Sequence, residues 1–108
     1  MTCVMLRRHR NLLPVNLRPP AGDYHTIPYG SLVSRTWPNL LAAGRCVSAA
    51  DGAWDVLRAI PACVVTGQAA GTAAALAAAS NCAVGDLPAD RLRERLRSDG
   101  VILDEGLA

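Results

Sequence analysis

A chain of 108 residues with a formal net charge of +2 can hold one domain at most and bury a modest core. All eleven basic residues are arginine and lie dispersed, with two Trp, two Tyr and no Phe, so no basic surface interleaved with stacking rings points to nucleic acid. Cys3, Cys46, Cys63 and Cys82 form no CxxC pair, which argues against a zinc or iron–sulfur centre built from this chain alone; the expected set of metal ligands is empty.

The opening MTCVMLRRHR lacks the continuous apolar stretch of a secretory signal, so the expectation is a cytoplasmic protein with reduced thiols. Residues 1–23 read as an irregular, basic, proline-rich segment, and residues 24–108 as the structured part. Much of the apolar fraction is alanine, whose burial gains about 0.5–1 kcal/mol against roughly 1.5–3 for Leu, Ile or Val. A chain so poor in large side chains leans on other protein for stability.

From Tyr24, YHTIPYGSLV predicts a strand interrupted at Pro28. Trp37-Pro38-Asn39 punctuates, and NLLAAG predicts a short buried strand whose carboxyl end lies at a crevice. CVSAADGAWD reads as a polar connection. The uncharged stretch from Ala59 to Ala83 predicts a long buried helix, with Pro61 tolerated in its first turn and Asn81 and Gly85 marking its end. A short amphipathic surface helix follows, with Asp86 as its N-cap, Leu92 and Leu96 on one face and Gly100 as its stop; VIL at 101–103 reads as one more short strand.

Two readings of the uncharged helix compete. It is long enough to span a bilayer and contains Gly67-x-x-x-Gly71, which lets two membrane helices approach closely. Against that, it is mostly small residues, carries Gln68, Ser80 and Asn81, and has no aromatic belt at its far end. The soluble reading takes Gly67, Ala70, Gly71, Ala74 and Ala78 as one nearly bare stripe, suited to close backbone approach by a sheet, a helix or a ligand.

IPYGSLV, NLLAAGRCVSA, Arg58 with AIPACVVTGQAAGTAAALA, and RLRERLRSDGVIL form an ordered series over residues 24–103. That series resembles the C-terminal end of the FAD-dependent oxidoreductases, the flavoproteins with two dinucleotide-binding domains. The resemblance implies an α/β fold: a C-terminal fragment of a Rossmann-like FAD/NAD(P)-binding domain, with one long buried helix, a short surface helix and a few strands. It implies FAD as cofactor, an organic small molecule as substrate, and the remainder of the FAD domain, on the same or another chain, as partner. Gly44 and Arg45 would lie beside the ribityl chain, with Ser48 following. Arg58, Ala59 and Ile60 would face the flavin from the start of the long helix, where N–H groups and the helix dipole favour negative charge. Gly67, Ala70 and Gly71 would pack against the rest of the domain.

Alternatives stand beside these roles: Arg45 paired with a carboxylate, Arg58 facing solvent, His25 an ordinary strand histidine. The sequence departs from the family pattern at Gly30, where an arginine commonly follows IPY. It departs again at Ala50-Asp51-Gly52-Ala53, which replaces a Thr-His-Glu-Ala stretch and leaves Asp51 to substitute for a histidine. No GxGxxG turn is present to hold the pyrophosphate, so the 108 residues on their own are expected to be inactive. No catalytic residue is assigned. A small membrane protein with a GxxxG helix and a non-catalytic interaction remnant remain the rival readings.

Overall fold

The computed structural model describes residues 3–6, 25–50, 53–101 and 103. Strand β1 (Cys3–Leu6) pairs antiparallel with β2 (His25–Pro28), Val4 opposite Ile27 and Met5 opposite Thr26. β1 lies inside the segment expected to be irregular; the pairing that makes it a strand comes from residues 19 to 25 positions away. Pro28 closes β2, where a missing N–H costs the ladder nothing further. The chain then enters a 3-10 turn at Tyr29–Ser31, whose Ser31 hydroxyl donates to the Pro28 carbonyl at 2.6 Å.

NLLAAG does not form the predicted buried strand. Leu41 makes an isolated antiparallel bridge to Val33, closed by Ser34 N–H to Leu40 O at 3.0 Å and Ala42 N–H to Leu32 O at 2.8 Å. The loop between them is shaped by Ser34, whose hydroxyl oxygen accepts from the N–H groups of Thr36 and Trp37. These local bonds satisfy the backbone that a sheet would otherwise have to satisfy. Among the described residues β1 and β2 are therefore the only paired strands, and the molecule is mostly helical.

Three helices follow: α1 (Ala53–Leu57), α2 (Ile60–Ala79) and α3 (Ala89–Ser98). α1 occupies part of the expected polar connection, held by the buried Val56. α2 carries Pro61 in its first turn and ends with Asn81 in a left-handed conformation, φ +50°. There Asn81 N–H donates to Ala78 O and Cys82 N–H to Ala77 O, the Schellman pattern that satisfies the last carbonyls. α3 ends the same way at Gly100, φ +82°, with Gly100 N–H on Arg97 O and Val101 N–H on Leu96 O. Asp86 does not cap α3. It lies in a separate 3-10 turn, Val84–Asp86, and Pro88 stands at the cap position with no side-chain hydrogen bond. Val101 and Leu103 lie outside any strand.

α2 is the axis of the assembly, with α3, β1, α1 and the turn at Gly44–Cys46 all lying against it. Its covered face is Ala62, Thr66, Ala69, Ala73 and Ala77, at helical spacing. The large buried side chains come from elsewhere: Ile27, Leu32, Val47, Leu87, Leu92, Leu96 and Leu103. The opposite face of α2, with Ile60, Val64, Gly67, Gly71, Ala74 and Ala78, is exposed. The expected long buried helix is thus buried on one side only among the described residues, whose other elements pack against that side. α2 is also long and apolar enough to cross a membrane by length and composition, with a mean hydropathy of 1.4, a test that core helices of soluble proteins pass as well.

One long-range tie joins the ends of the fold: the Tyr29 hydroxyl donates to Val84 O at 2.8 Å inside the core. Burial, and secondarily the neighbouring Cys82, pushes the Tyr29 pKa above its ordinary value of 10.0. The folded protein therefore holds this proton more tightly than the unfolded chain. Its contribution to stability is complete below pH 10 and is lost as pH rises through the folded-state value. Tyr29→Phe should cost roughly 1 kcal/mol in urea denaturation at neutral pH, by orphaning the Val84 carbonyl. It should also flatten the Tyr29 part of the alkaline loss of stability.

Candidate functional site

Part of the predicted set, Gly44 and the residues Arg58, Ala59 and Ile60, lies at or near the amino end of α2. Gly44 opens a 3-10 turn, Gly44–Cys46, with φ +73°. A Cβ there would sit 3.8 Å from Cys63 Sγ, an ordinary contact, so the left-handed backbone rather than lack of room demands glycine. The turn is pinned by Thr66. Its hydroxyl accepts the Gly44 N–H at 2.9 Å and donates back to Ala62 O at 2.7 Å, within its own helix. Thr66 is the one buried polar side chain among the described residues, and both sides of its hydroxyl are used.

Arg45 projects from the same turn, exposed, and no hydrogen bond or ion pair engages it among the described residues. The alternative of a carboxylate partner for Arg45 finds no support there. Ser48 is exposed two residues beyond the turn, next to the buried Val47 that anchors the segment. Cys46 is exposed, its thiol donating to Ala43 O at 3.0 Å, and Cys63 is half-buried.

α2 begins with Ala59 as N-cap and no side chain capping its first N–H groups. No acidic residue lies in its first turn, where helices usually place one. Ile60 is two-thirds exposed at 66%, and Val64 one turn on is 62% exposed. Arg58 immediately precedes the cap. Its guanidinium lies over the Trp54 ring, 4.2 Å from the centroid, and 3.7 Å from Asp55 Oδ1. Arg58 is thus neither free in solvent nor hydrogen-bonded; it is stacked.

Gly44 reaches the second turn of α2, through Thr66 and Cys63, while Arg58, Ala59 and Ile60 form its start. At a rise of ~1.5 Å per residue the two groups lie within about 12 Å along the axis. Gly67 and Gly71 lie further along on the exposed face, and a Cβ on either would meet nothing within 4 Å. Ala70 sits half-buried at the flank. The structure therefore sets the Gly44 turn against the second turn of α2, with Arg58, Ala59 and Ile60 at its start, and Gly67 and Gly71 on a separate stripe. Asp51 lies outside the described residues; His25 is placed only as the first residue of β2. Thr66, Trp54 and Asp55 were missed by the sequence reading. A threonine in an alanine helix and an i, i+4 Trp–Arg pair were the only signals available.

A hollow of about 470 Å³ at the far end of α2, between Pro38, Asn39, Asn81 and Val84, is lined by Ala74 and Ala78 of the stripe but by none of the residues expected to contact the cofactor. No group of three or more potential metal ligands occurs among the described residues.

A glycine turn carrying Arg45 lies against the second turn of a small-residue helix whose start, preceded by Arg58, has no capping side chain. The chain belongs to the FAD dependent oxidoreductase family, whose profile matches residues 8–96. No curated protein and no solved structure matches it. Its cofactor is FAD and its coarse function that of a flavoprotein oxidoreductase. The residues present are chemically suited to an anionic cofactor: Gly44 has the left-handed backbone that permits close approach, and among the described residues Arg45 and Arg58 donate no hydrogen bond.

Thr66→Val should remove the acceptor for the Gly44 N–H and cost about 1–3 kcal/mol, read by urea denaturation, whereas Thr66→Ser should cost far less. Equal losses in the two variants would mean that the methyl group, not the hydroxyl, holds the turn.

Proposed function

We propose that these residues are the flavin-facing, C-terminal portion of a Rossmann-like α/β FAD-binding domain. The parent enzyme would transfer hydride or electrons between an organic small molecule and an acceptor. The observation that carries this reading is the convergence of the Gly44 turn and the uncapped start of α2, with Arg45 and Arg58 beside them. When bound, FAD supplies the redox chemistry. The protein's part is to hold and tune it. Gly44 lets the main chain come close, Arg45 donates hydrogen bonds to cofactor oxygens, and the start of α2 with Arg58 presents a positive field that favours an anionic form.

These 108 residues contain no GxGxxG turn, so in this reading the ADP half of the cofactor is held by the remainder of the FAD domain, on the same polypeptide or another. The exposed stripe of α2 supports the same view. Glycine in a helix interior costs roughly 0.5–1 kcal/mol relative to alanine. Gly67 and Gly71 carry that cost although nothing within the described structure approaches them. A close-packed neighbour from the remaining domain accounts for both.

Two experiments test the reading. Titrated with FAD, the 108 residues alone should show weak binding or none. In the complete domain, Arg45→Gln or Arg58→Gln should weaken FAD binding about tenfold or more, the worth of one charge-assisted hydrogen bond. Tight stoichiometric binding by the 108 residues would refute the divided-domain reading. Gly67→Ala and Gly71→Ala should each stabilise the isolated chain by about 0.5–1 kcal/mol, since the added methyl meets open space. The same changes should weaken assembly of the complete FAD domain, seen as loss of bound flavin. Retention of full flavin occupancy in the double variant would mean that the stripe packs against nothing closely.

A further inference from the structure

The arginines whose partners are defined differ in how they are held. Arg91 donates to the Ser80 hydroxyl at 2.7 Å, and Arg95 donates from Nε to Asp99 at 3.0 Å. Arg58 is held otherwise. Its guanidinium is fixed against the face of Trp54, and its nearest carboxylate oxygen, on Asp55, stands at 3.7 Å, beyond hydrogen-bonding distance. Among the described residues Arg58 donates no hydrogen bond. A planar fork of five donors is therefore oriented, yet none of its donors makes a hydrogen bond among the described residues.

Trp54 is the reason for that orientation. It sits four residues before Arg58, the spacing that stacks side chains on one helical face. It is half exposed, at 50%, in a helix of five residues whose buried anchor is Val56, so the ring is not there to fill the core. A guanidinium stacked on indole keeps its in-plane N–H groups open to a third party, which a hydrogen-bonded ion pair would not. Asp55 lies close enough to offset part of the charge without engaging a donor.

We propose that Trp54 is a positioning residue that holds Arg58 ready for an anionic acceptor group of the cofactor at the start of α2, with Asp55 setting how much of the charge is offered. This rests on the flavin-facing reading of α2. Trp54 acts through Arg58 and touches no reacting atom. The acceptor is a group with adjacent oxygen or ring-nitrogen lone pairs, which matches a planar fork and not the point charge of a lysine.

The test is a double-mutant cycle on the flavin-loaded protein with its complete FAD domain, read by flavin fluorescence titration. Arg58→Gln should weaken FAD binding about tenfold. Trp54→Ala should weaken it at least about threefold, Trp54→Phe by less than about twofold, and Asp55→Asn should tighten it about two- to threefold. In the Arg58→Gln background, Trp54→Ala should have no further effect. A second readout needs no flavin: the ring current of Trp54 should shift the Arg58 Nε–H proton upfield in NMR, lost in Trp54→Ala and kept in Asp55→Asn. If Arg58→Gln weakens binding and Trp54→Ala does not, or if Trp54→Ala weakens it equally without Arg58, the positioning role is overturned while the flavin-facing reading stands. If Arg58→Gln has no effect, the flavin-facing role of Arg58 fails and the inference fails with it.

Discussion

The hydroxyl of Thr66 is the interaction on which the arrangement of the site depends. It is buried in a helix face otherwise made of alanine, and it serves two backbones at once, taking the Gly44 N–H and returning its own proton to Ala62 O. The turn lies directly against α2, with Cys63 the nearest side chain to Gly44. The small side chains give little burial energy, on the order of 0.5–1 kcal/mol each. A single satisfied hydrogen bond of about 1 kcal/mol is therefore not a minor term there. With the Gly44 N–H fixed, the left-handed turn is fixed, and with it the place from which Arg45 projects.

The same economy of side chains divides labour between the helices. α3 supplies bulk, through Leu92 and Leu96, both fully buried, while α2 supplies a flat platform that other backbones can approach. Leu32, Leu87 and Leu103 close the space between, and the Tyr29–Val84 bond ties the β2 end of the chain to the turn before α3. Both α2 and α3 end in the same Schellman arrangement, at Asn81 and Gly100. Their lengths are thus set by the backbone chemistry of one residue each.

What the sequence made legible was local. Pro61 in a first turn, Gly100 at a stop and Leu92 with Leu96 on one face need no knowledge of the rest of the chain, and each stands where expected. The start of α2 next to Arg58 was also legible, through the spacing from Arg58 to the GQAAG run. What failed needed partners from afar or a choice between local bonds. β1 exists because β2 pairs with it. Leu40 and Leu41 lose strand character to the hydroxyl-capped loop at Ser34. Asp86 has the residue type of a cap, but it belongs to a 3-10 turn followed by an extended Leu87, which moves the start of α3 beyond its reach. Thr66 was invisible because a threonine among alanines looks like a matter of helix propensity. Only the position of Gly44 gives its hydroxyl a purpose.

Charge at the start of α2 follows from the same helix that provides the platform. Most helices blunt their positive end with an acidic residue in the first turn or a capping side chain; α2 has neither. Arg58 adds positive charge just ahead of the cap, and Asp55 offsets it from a distance too long for a hydrogen bond. That arrangement costs folding stability, because unsatisfied donors and a cation are collected at one point. An isolated helix would gain from an aspartate at position 59 or 60. The fold instead keeps Ala59 and Ile60 there, apolar residues that leave the field unneutralised. A positive end, an apolar rim and a bare stripe along one axis are three consequences of one choice, an alanine and glycine helix with no charged residue along its length. Such a helix can be approached closely and can still exert an electrostatic influence at its tip.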